Sequence, residues 1–258
     1  HKRDSELSRL FSLPTVMFEH AFDTNPSLSD ILEISLKYTN SRIDVIIGLG
    51  GGSAMDVGKI ASVSIPAHKK GIELSDLLVD CDLFSQFKAI DCLQVPTTAG
   101  TGSEVTPFAT VWDYKTQIKK SLSNPVMFAK KAYIDPDFLV GIPLEIAVST
   151  GLDALNQAFE SIWNKNATAT SLLYALRAAQ LCLEALPKLR EMDSCSNTRA
   201  SLSEASLYAG IAISQTRTSI CHSISYPLTL KLSLPHGLAC AFSMKEVYEF
   251  NKGSISKF

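Results

Sequence analysis

The stretch IDVIIGLGGGSAMDVGKIASVS, residues 43–64, decides the fold. Its first seven residues (43–49) form a continuous β-branched run bounded by glycine, the pattern of a strand buried on both faces of a parallel sheet. From about Ala54 onward the residues read as a helix, so Gly50, Gly51, Gly52 and Ser53 make the turn between the two. Glycine lets a backbone approach a ligand and adopt positive φ. A helix start offers free N–H groups and a positive dipole end to a phosphate. Asp56 and Lys59 fall in the first turns of that helix. The turn departs from the dinucleotide fingerprint, because Gly48-x-Gly50-x-x-Ser53 puts serine at the third glycine, and it lacks the GKS/T ending of a P-loop. On these residues alone it is either a diphosphate site or a tight strand–helix turn with no ligand.

Working outward, TVMFEHAF (15–22) reads as a strand. NPSLSDILEISLKYTN (25–40) reads as a helix that Ser27 or Ser29 can cap, with Ile31, Leu32, Ile34 and Leu36 as its apolar stripe. CLQVPTT (92–98) and TPFATVWD (106–113) are further strands, and strands alternating with helices indicate βαβ units and a nucleotide-binding type of sheet. After Asp135-Pro136 the texture changes. Segments 143–164, 168–186, 198–214 and 238–250 have helical spacing, and Leu152, Leu155, Phe159 and Ile162 fall near one face. The expected fold is an α/β N-terminal dinucleotide-binding domain with a mostly parallel sheet (1–140) and an all-α C-terminal domain (141–258). A cleft between them is a natural ligand site.

A second polar loop, Thr97-Thr98-Ala99-Gly100-Thr101-Gly102-Ser103-Glu104-Val105-Thr106, packs five hydroxyl side chains and two glycines into ten residues. It is either an ordinary polar loop or a partner of the glycine turn. Two such loops at the carboxyl ends of strands in one sheet mark the expected place of a nucleotide. Asp153 and Gln157 are spaced i, i+4 and project from one helix face. His222 stands in a run of small polar residues and His236 in a Pro-His-Gly turn. One carboxylate and two imidazoles suit Zn²⁺, Fe²⁺ or Ni²⁺, with the Gln157 amide oxygen as a weak fourth donor. The other reading makes Asp153 a helix-start charge and His222 a satisfied core histidine.

Of the 258 residues, 46% are apolar and 19% charged, which excludes intrinsic disorder. A net charge of −2 provides no overall basic field for nucleic acid or membrane. No apolar run reaches the ~18–20 residues that span a bilayer, and the start, HKRDSELSRLF, lacks a signal peptide's apolar stretch. A soluble cytoplasmic protein is expected. Cys81, Cys92, Cys182, Cys195, Cys221 and Cys240 form no CxxC pair and read as free thiols. Cys221, which precedes His222, has the alternative reading of a catalytic thiol. The chain begins at His1, and EVYEFNKGSISKF closes it without an evident final element, so it is expected to be a piece of a longer protein, incomplete at both ends.

TNPS (24–27), GGGSAMDVGK (50–59), PTTAGTGSEVT (96–106), IDPDFLVGIP (134–143), TGLDALNQAFES (150–161) and the CHSISYPLT…LPHGLACAF region (221–242) together resemble the iron-containing (group III) alcohol dehydrogenase family. The resemblance implies a dehydroquinate synthase-like architecture, with a dinucleotide domain followed by a helical metal-binding domain. It implies an oxidoreductase that moves a hydride between NAD or NADP and a small aldehyde or primary alcohol. By the same resemblance Asn25, Gly51, Gly52, Ser53, Asp56, Thr97, Thr98, Thr101, Thr106 and Lys119 line the cofactor. Asp153, Gln157, His222 and His236 are the metal positions, with Fe²⁺ expected and Zn²⁺ or another divalent ion as substitutes.

The chain departs from the family in three ways. The family usually has histidine at the position of Gln157, and a neutral amide oxygen is a poorer donor, so metal affinity is expected to fall. The family commonly has a second histidine where Tyr226 stands, and the tyrosine can donate a proton or hydrogen bond near the substrate. The family's first βα unit, including the region that senses the adenosine ribose, has no counterpart, which leaves NAD versus NADP open. TRTSICHSISYPLT (216–229) looks most like the branch associated with phosphonate metabolism, acting on phosphonoacetaldehyde-like substrates. Arg217 then either pairs its planar fork with a phosphonate oxygen or is a surface or helix-end arginine. The expected catalytic set is His222, Tyr226 and Arg217. The rivals are a NAD- and metal-dependent lyase of the dehydroquinate synthase type and a metal-depleted nucleotide-binding relic. Homo-oligomers are common in this architecture, so a homo-oligomer is expected, with no nucleic-acid or membrane partner.

Overall fold

The computed structural model describes residues 16, 17, 19, 25–190 and 196–255. Most of the strand expected at 15–22, and Cys195, lie outside the described residues. The first helix, α1 (Leu28–Tyr38), starts where Ser27 forms a capping box: its Oγ accepts from Asp30 N (3.1 Å) while Asp30 accepts from Ser27 N (2.7 Å). Its buried stripe is Ile31, Ile34, Ser35 and Tyr38. Leu32 and Leu36, expected on that stripe, are exposed, because the 3.6-residue period turns them away from a face set by 31, 34, 35 and 38.

Strand β1 (Val45–Gly50) runs into helix α2 (Gly52–His68), followed by a single turn α3 (Leu74–Leu77) and strand β2 (Asp91–Pro96). Next come β3 (Phe108–Asp113), β4 (Ile118–Ser123) and β5 (Lys131–Ala132). The strands β1, β2 and β5 make one parallel sheet in that spatial order, with Val45 opposite Asp91 and Gly50 opposite Pro96. This register puts the ends of β1 and β2 at the same edge, so the turns after Gly50 and Pro96 are neighbours. Two expectations are corrected. Among the described residues β1 is an edge strand whose Val45 and Ile47 are exposed, so it is not buried on both faces. The 106–113 strand does not join the parallel sheet but pairs antiparallel with β4, Phe108 opposite Ser123, as a separate hairpin. A core of Ile31, Ile34, Val57, Ile60, Val63, Val111 and Leu122 joins α1, α2 and the hairpin.

Beyond Leu144 the described structure is helical: α4 (Leu144–Ile162), α5 (Ala169–Ala185), α6 (Asn197–Thr216), α7 (Ile220–Leu232), α8 (His236–Ala241) and α9 (Met244–Ile255). The shared core of α4, α5 and α6 is rich in alanine (Ala154, Ala158, Ala175, Ala178, Ala205, Ala209, Ala212), which lets the helices approach closely. Leu155 and Ile162 are buried in it, with Leu152 and Phe159 packed at its edge. The run of small polar residues around His222 is a helix, and α7 continues through Pro227. His236 is likewise the first residue of a helix behind Pro235, not the centre of a turn. Proline fits beside a helix's first position, where no N–H partner is needed. Cys81, Cys92, Cys182, Cys221 and Cys240 are free thiols. No described helix is long and apolar enough to cross a membrane.

Candidate functional site

The glycine turn is the first half of the site. Gly51 is the N-cap of α2 and offers no side-chain hydrogen bond to the first N–H groups. Asn25 N donates to Ser53 Oγ (3.2 Å), and Thr97 N donates to Gly50 O (2.9 Å). A Cβ on Gly51 would stand 3.3 Å from Thr98 Oγ1, and one on Gly52 would press on Thr101, 3.0 Å from its Oγ1. The fold thus brings Asn25, Gly51, Gly52, Ser53, Thr97, Thr98 and Thr101 to one mouth. Gly51 has φ −75°, so close approach, not backbone strain, is what a side chain there would disturb.

Asp56 and Thr106 point elsewhere. Asp56 accepts from Ser103 Oγ (2.5 Å) and Thr110 N (2.8 Å), which ties α2 to the polar loop and to β3. Thr106 is buried and its Oγ1 receives the Lys59 ammonium at 3.2 Å. Lys59 is fully buried, and its Nζ also donates to Ser103 O (2.9 Å), Thr106 O (3.3 Å) and Phe108 O, with Asp56 Oδ1 at 3.4 Å. Burial lowers the lysine's pKa while Asp56 pulls it back up. The ammonium is therefore a clasp that holds residues 103–108 on α2.

Beside the clasp, Glu104 is buried and its Oε2 has no hydrogen-bond partner. Burial raises its carboxyl pKa, against the pull of its own backbone N–H and of Lys59. A carboxyl raised in the folded state contributes stability below its unfolded value of about 4.3, and that contribution is lost as pH rises through the folded value. Glu104→Gln keeps the shape and removes the loss. Urea midpoints should match wild type near about pH 4 and exceed it near about pH 8; equal midpoints at both would exclude a buried charge here.

The second half of the site hangs on three helices. Asp153 and Gln157 come from α4, His222 from the first turn of α7, and His236 from the start of α8. Asp153, Gln157 and His222 are buried. His222 Nε2 lies 3.2 Å from Asp153 Oδ1, and the two imidazole centroids are 5.5 Å apart. Glu160, two helical turns beyond Asp153, meets His222 Nδ1 at 2.6 Å. It also accepts from Ser219 N (2.9 Å), Cys221 N (2.6 Å) and His222 N (3.3 Å). Cys240 Sγ stands 3.7 Å from His236 Nε2. One donor atom from each of Asp153, His222, His236 and Cys240 falls within 4.8 Å of the others. Gln157 Nε2 donates to Thr101 O at 3.4 Å, while its Oε1 is buried without a hydrogen-bond partner. The Thr101 loop therefore touches both the glycine turn and the face of α4 that carries Asp153.

The electrostatics fit a cation. Burial works against the charge of Asp153, but the hydrogen bond from His222 and the fields of His236 and Lys119 hold its carboxyl below the ordinary range. Burial would lower His222, yet the contacts with Asp153, Cys240 and Glu160 raise it well above its usual value. Burial would likewise raise the Cys240 thiol, but hydrogen bonding to His222 and His236 brings it down to about 7. Lys119 Nζ lies 4.4 Å from the Tyr226 ring centroid, and burial lowers its pKa. Burial pushes the Tyr226 phenol up, so the hydroxyl keeps its proton at neutral pH.

Arg217 is held differently from the rest of the expected catalytic set. It is exposed, donates to Ser123 Oγ (2.6 Å) on β4 and lies 4.7 Å from the Phe108 ring centroid. Sequence reasoning missed Glu160 and Cys240. Glu160 had a signal, since 153, 157 and 160 follow the i, i+4, i+7 pattern of one helix face. Cys240 is i+4 from His236, a spacing that counts only once residues 236–241 are helical.

Residues 9–136 match the iron-containing alcohol dehydrogenase family, and residues 147–257 match the C-terminal region of the Fe-containing alcohol dehydrogenase family. A phosphonoacetaldehyde reductase of Streptomyces viridochromogenes is 34% identical over 250 residues, 92% of this chain and 60% of that relative. An iron-containing alcohol dehydrogenase from Thermotoga maritima superposes with a TM-score of 0.81 at 32% identity, over 92% of this chain and 64% of the other. A sulfoacetaldehyde reductase from Bifidobacterium kashiwanohense, solved in complex with NAD⁺, superposes at 0.82 with 28% identity, over 97% and 66%. The chain spans about three fifths of the length of that Streptomyces reductase and of a 1-propanol dehydrogenase of Citrobacter freundii that is 33% identical to it over 227 residues.

Proposed function

From the premise that this chain belongs to the iron-containing alcohol dehydrogenase family, we propose that the whole protein interconverts a small aldehyde and its primary alcohol with NAD(P). The observation that supports this reading most is the meeting of Asp153, His222 and His236 on the face of α4 that also carries Gln157, whose amide reaches the same Thr101 loop that closes the glycine turn. In this division the α/β residues 1–140 serve the dinucleotide and the helical residues 141–258 serve the metal. Asp153, His222 and His236, with the orphaned Gln157 oxygen, would hold a divalent cation, Fe²⁺ or Zn²⁺, whose chemistry there is Lewis-acid polarisation of a carbonyl oxygen. A nicotinamide dinucleotide held at the glycine turn would supply hydride-transfer chemistry.

The chain's own residues do the rest. The N–H groups at the start of α2 and the hydroxyls of Thr98 and Thr101 would hold the diphosphate. Glu160 orients His222 and leaves Nε2 facing Asp153. Tyr226, protonated at neutral pH, can donate a hydrogen bond or proton to the substrate oxygen. Lys119, over the Tyr226 ring, places positive charge beside it.

Gly51→Ala tests the cofactor half. Its Cβ fills the space beside Thr98, and losing one or two phosphate contacts of about 1–1.5 kcal/mol each raises the NAD(P)H Kd roughly tenfold or more. Fluorescence titration should show that rise with an unchanged melting temperature; an unchanged Kd would remove the diphosphate from this turn.

The substrate we favour is phosphonoacetaldehyde or a close analogue, on the similarity to the Streptomyces reductase and on Arg217. Its single hydroxyl partner leaves most of the guanidinium fork open to an anion. The function is tested on the full-length protein loaded with Fe²⁺ or Zn²⁺, following aldehyde-dependent NAD(P)H oxidation together with metal content. Turnover with phosphonoacetaldehyde is expected. In Arg217→Ala, loss of a charge-assisted contact of about 1.5–3 kcal/mol should raise KM for that substrate roughly tenfold to a hundredfold and leave propanal unaffected. No turnover with any aldehyde, metal-loaded or not, would defeat the reading, and NAD(P)-dependent chemistry without net NAD(P)H consumption would mark the lyase instead.

A further inference from the structure

The two residues at 157 and 240 have complementary peculiarities. Gln157 brings a neutral amide to the metal cluster, with one end on Thr101 O and its oxygen unpartnered. Cys240 brings a sulfur, fully buried, on the same face of α8 as His236 and one turn beyond it. The sulfur faces the two imidazoles, and its donor atom closes a group with Asp153, His222 and His236 in which all pairs lie within 4.8 Å. In a tetrahedral zinc site, bond lengths of about 2.05 Å to N or O and 2.3 Å to S give N–O edges of about 3.3 Å and N–S edges of about 3.6 Å. Here the His222 Nε2–Asp153 Oδ1 edge is 3.2 Å and the His236 Nε2–Cys240 Sγ edge is 3.7 Å.

We propose that Cys240 Sγ is a ligand of the metal centre, completing an Asp153, His222, His236, Cys240 set in which the thiolate takes the share that the Gln157 amide supplies only weakly. The proposal rests on the metal site given under the proposed function and goes beyond it in ligand and metal preference. Binding releases the thiol proton to solvent, and the sulfur lone pair forms the new bond. A soft thiolate strengthens the preference for zinc or cobalt over iron(II) beyond that of an all-nitrogen-and-oxygen set.

The test is cobalt substitution of the metal-free full-length protein. Wild type should take up one Co²⁺ and show a thiolate-to-cobalt charge-transfer band in the near ultraviolet beside the visible d–d bands. Cys240→Ser should still bind Co²⁺ but lose the charge-transfer band, with Zn²⁺ affinity down more than about tenfold. Cys221→Ser, altering the neighbouring buried thiol, should keep the band. A wild-type cobalt protein with d–d bands and no thiolate band overturns the Cys240 assignment while the metal site stands, as does a band that survives in Cys240→Ser. Cobalt that fails to bind wild type, or binds equally well after Asp153→Asn, overturns the metal site itself and the assignment with it. Should Cys240→Ser misfold, Cys240→Ala is read in the same way.

Discussion

Glu160→Ala should lower the stability of the metal-free protein by about 3–5 kcal/mol, the usual result of removing one partner from a buried charged pair. The carboxylate is fully buried and accepts from three backbone N–H groups at the start of α7 as well as from the His222 ring. It therefore caps one helix from the side of another, and alanine would remove the shared acceptor of those donors. Burial raises the Glu160 carboxyl, but His222 and the backbone donors more than reverse that, so it enters the fold ionised. Glu160→Gln separates the structural part from the functional one. The amide keeps one acceptor oxygen for the backbone but cannot hold the Nδ1–H of His222 as strongly. Metal affinity should fall about ten- to a hundredfold, the usual effect of losing a carboxylate behind a ligating imidazole. Metal content after dialysis against a graded chelator reads the second effect and thermal melting of the metal-free protein the first. A glutamine variant that retains metal like wild type would deny Glu160 any part in positioning His222.

Gly237→Ala should be nearly as damaging although it adds one methyl group. An ideal Cβ at 237 overlaps Ser149 O and sits 2.7 Å from that carbonyl carbon, both backbone atoms of α4. Neither atom can swing aside, so α8 must move off α4. The cost belongs at the top of the overpacking range, about 3 kcal/mol. The movement also carries His236 and Cys240 away from Asp153, because the first two stand on α8 and the third on α4. Loss of stability and loss of divalent-metal binding should therefore appear together. Gly253→Ala, on α9 where an added Cβ meets nothing within 4 Å, is the control and should be neutral or stabilise by up to about 1 kcal/mol. Metal binding retained in Gly237→Ala would show that the α4–α8 contact does not set the cluster.

Much of the fold was legible one element at a time. The β-branched run before the triple glycine, a serine cap at Ser27 or Ser29 and the helical spacing of 143–164, 168–186 and 198–214 are local signals, and the structure has a strand or helix at each, with Ser27 as the cap. The helix at 220–232 was hidden by its serines and Pro227, which lower helical propensity without forbidding a helix that packs against α8. The hairpin partner of 108–113 was hidden because IKKSLS carries charges on an exposed face and lacks a clear apolar alternation.

The candidate site divides in the same way. The Asp153 and Gln157 pair and the two glycine-bearing loops could be read within one helix turn or one loop. That His222 lies between Asp153 and Glu160 could not, because those partners are 69 and 62 residues away and meet only through the angle at which α7 crosses α4. Nor did the place of Lys59 in the first turns of its helix tell that it would be a buried clasp; that depended on four oxygens of residues 103–108 arriving around its ammonium. Backbone propensity, capping and periodicity act over a few residues and so are written in the order of the chain. Cluster membership is set by close packing of separate helices, where a single glycine carbonyl contact decides which side chains meet, and only the tertiary structure holds that.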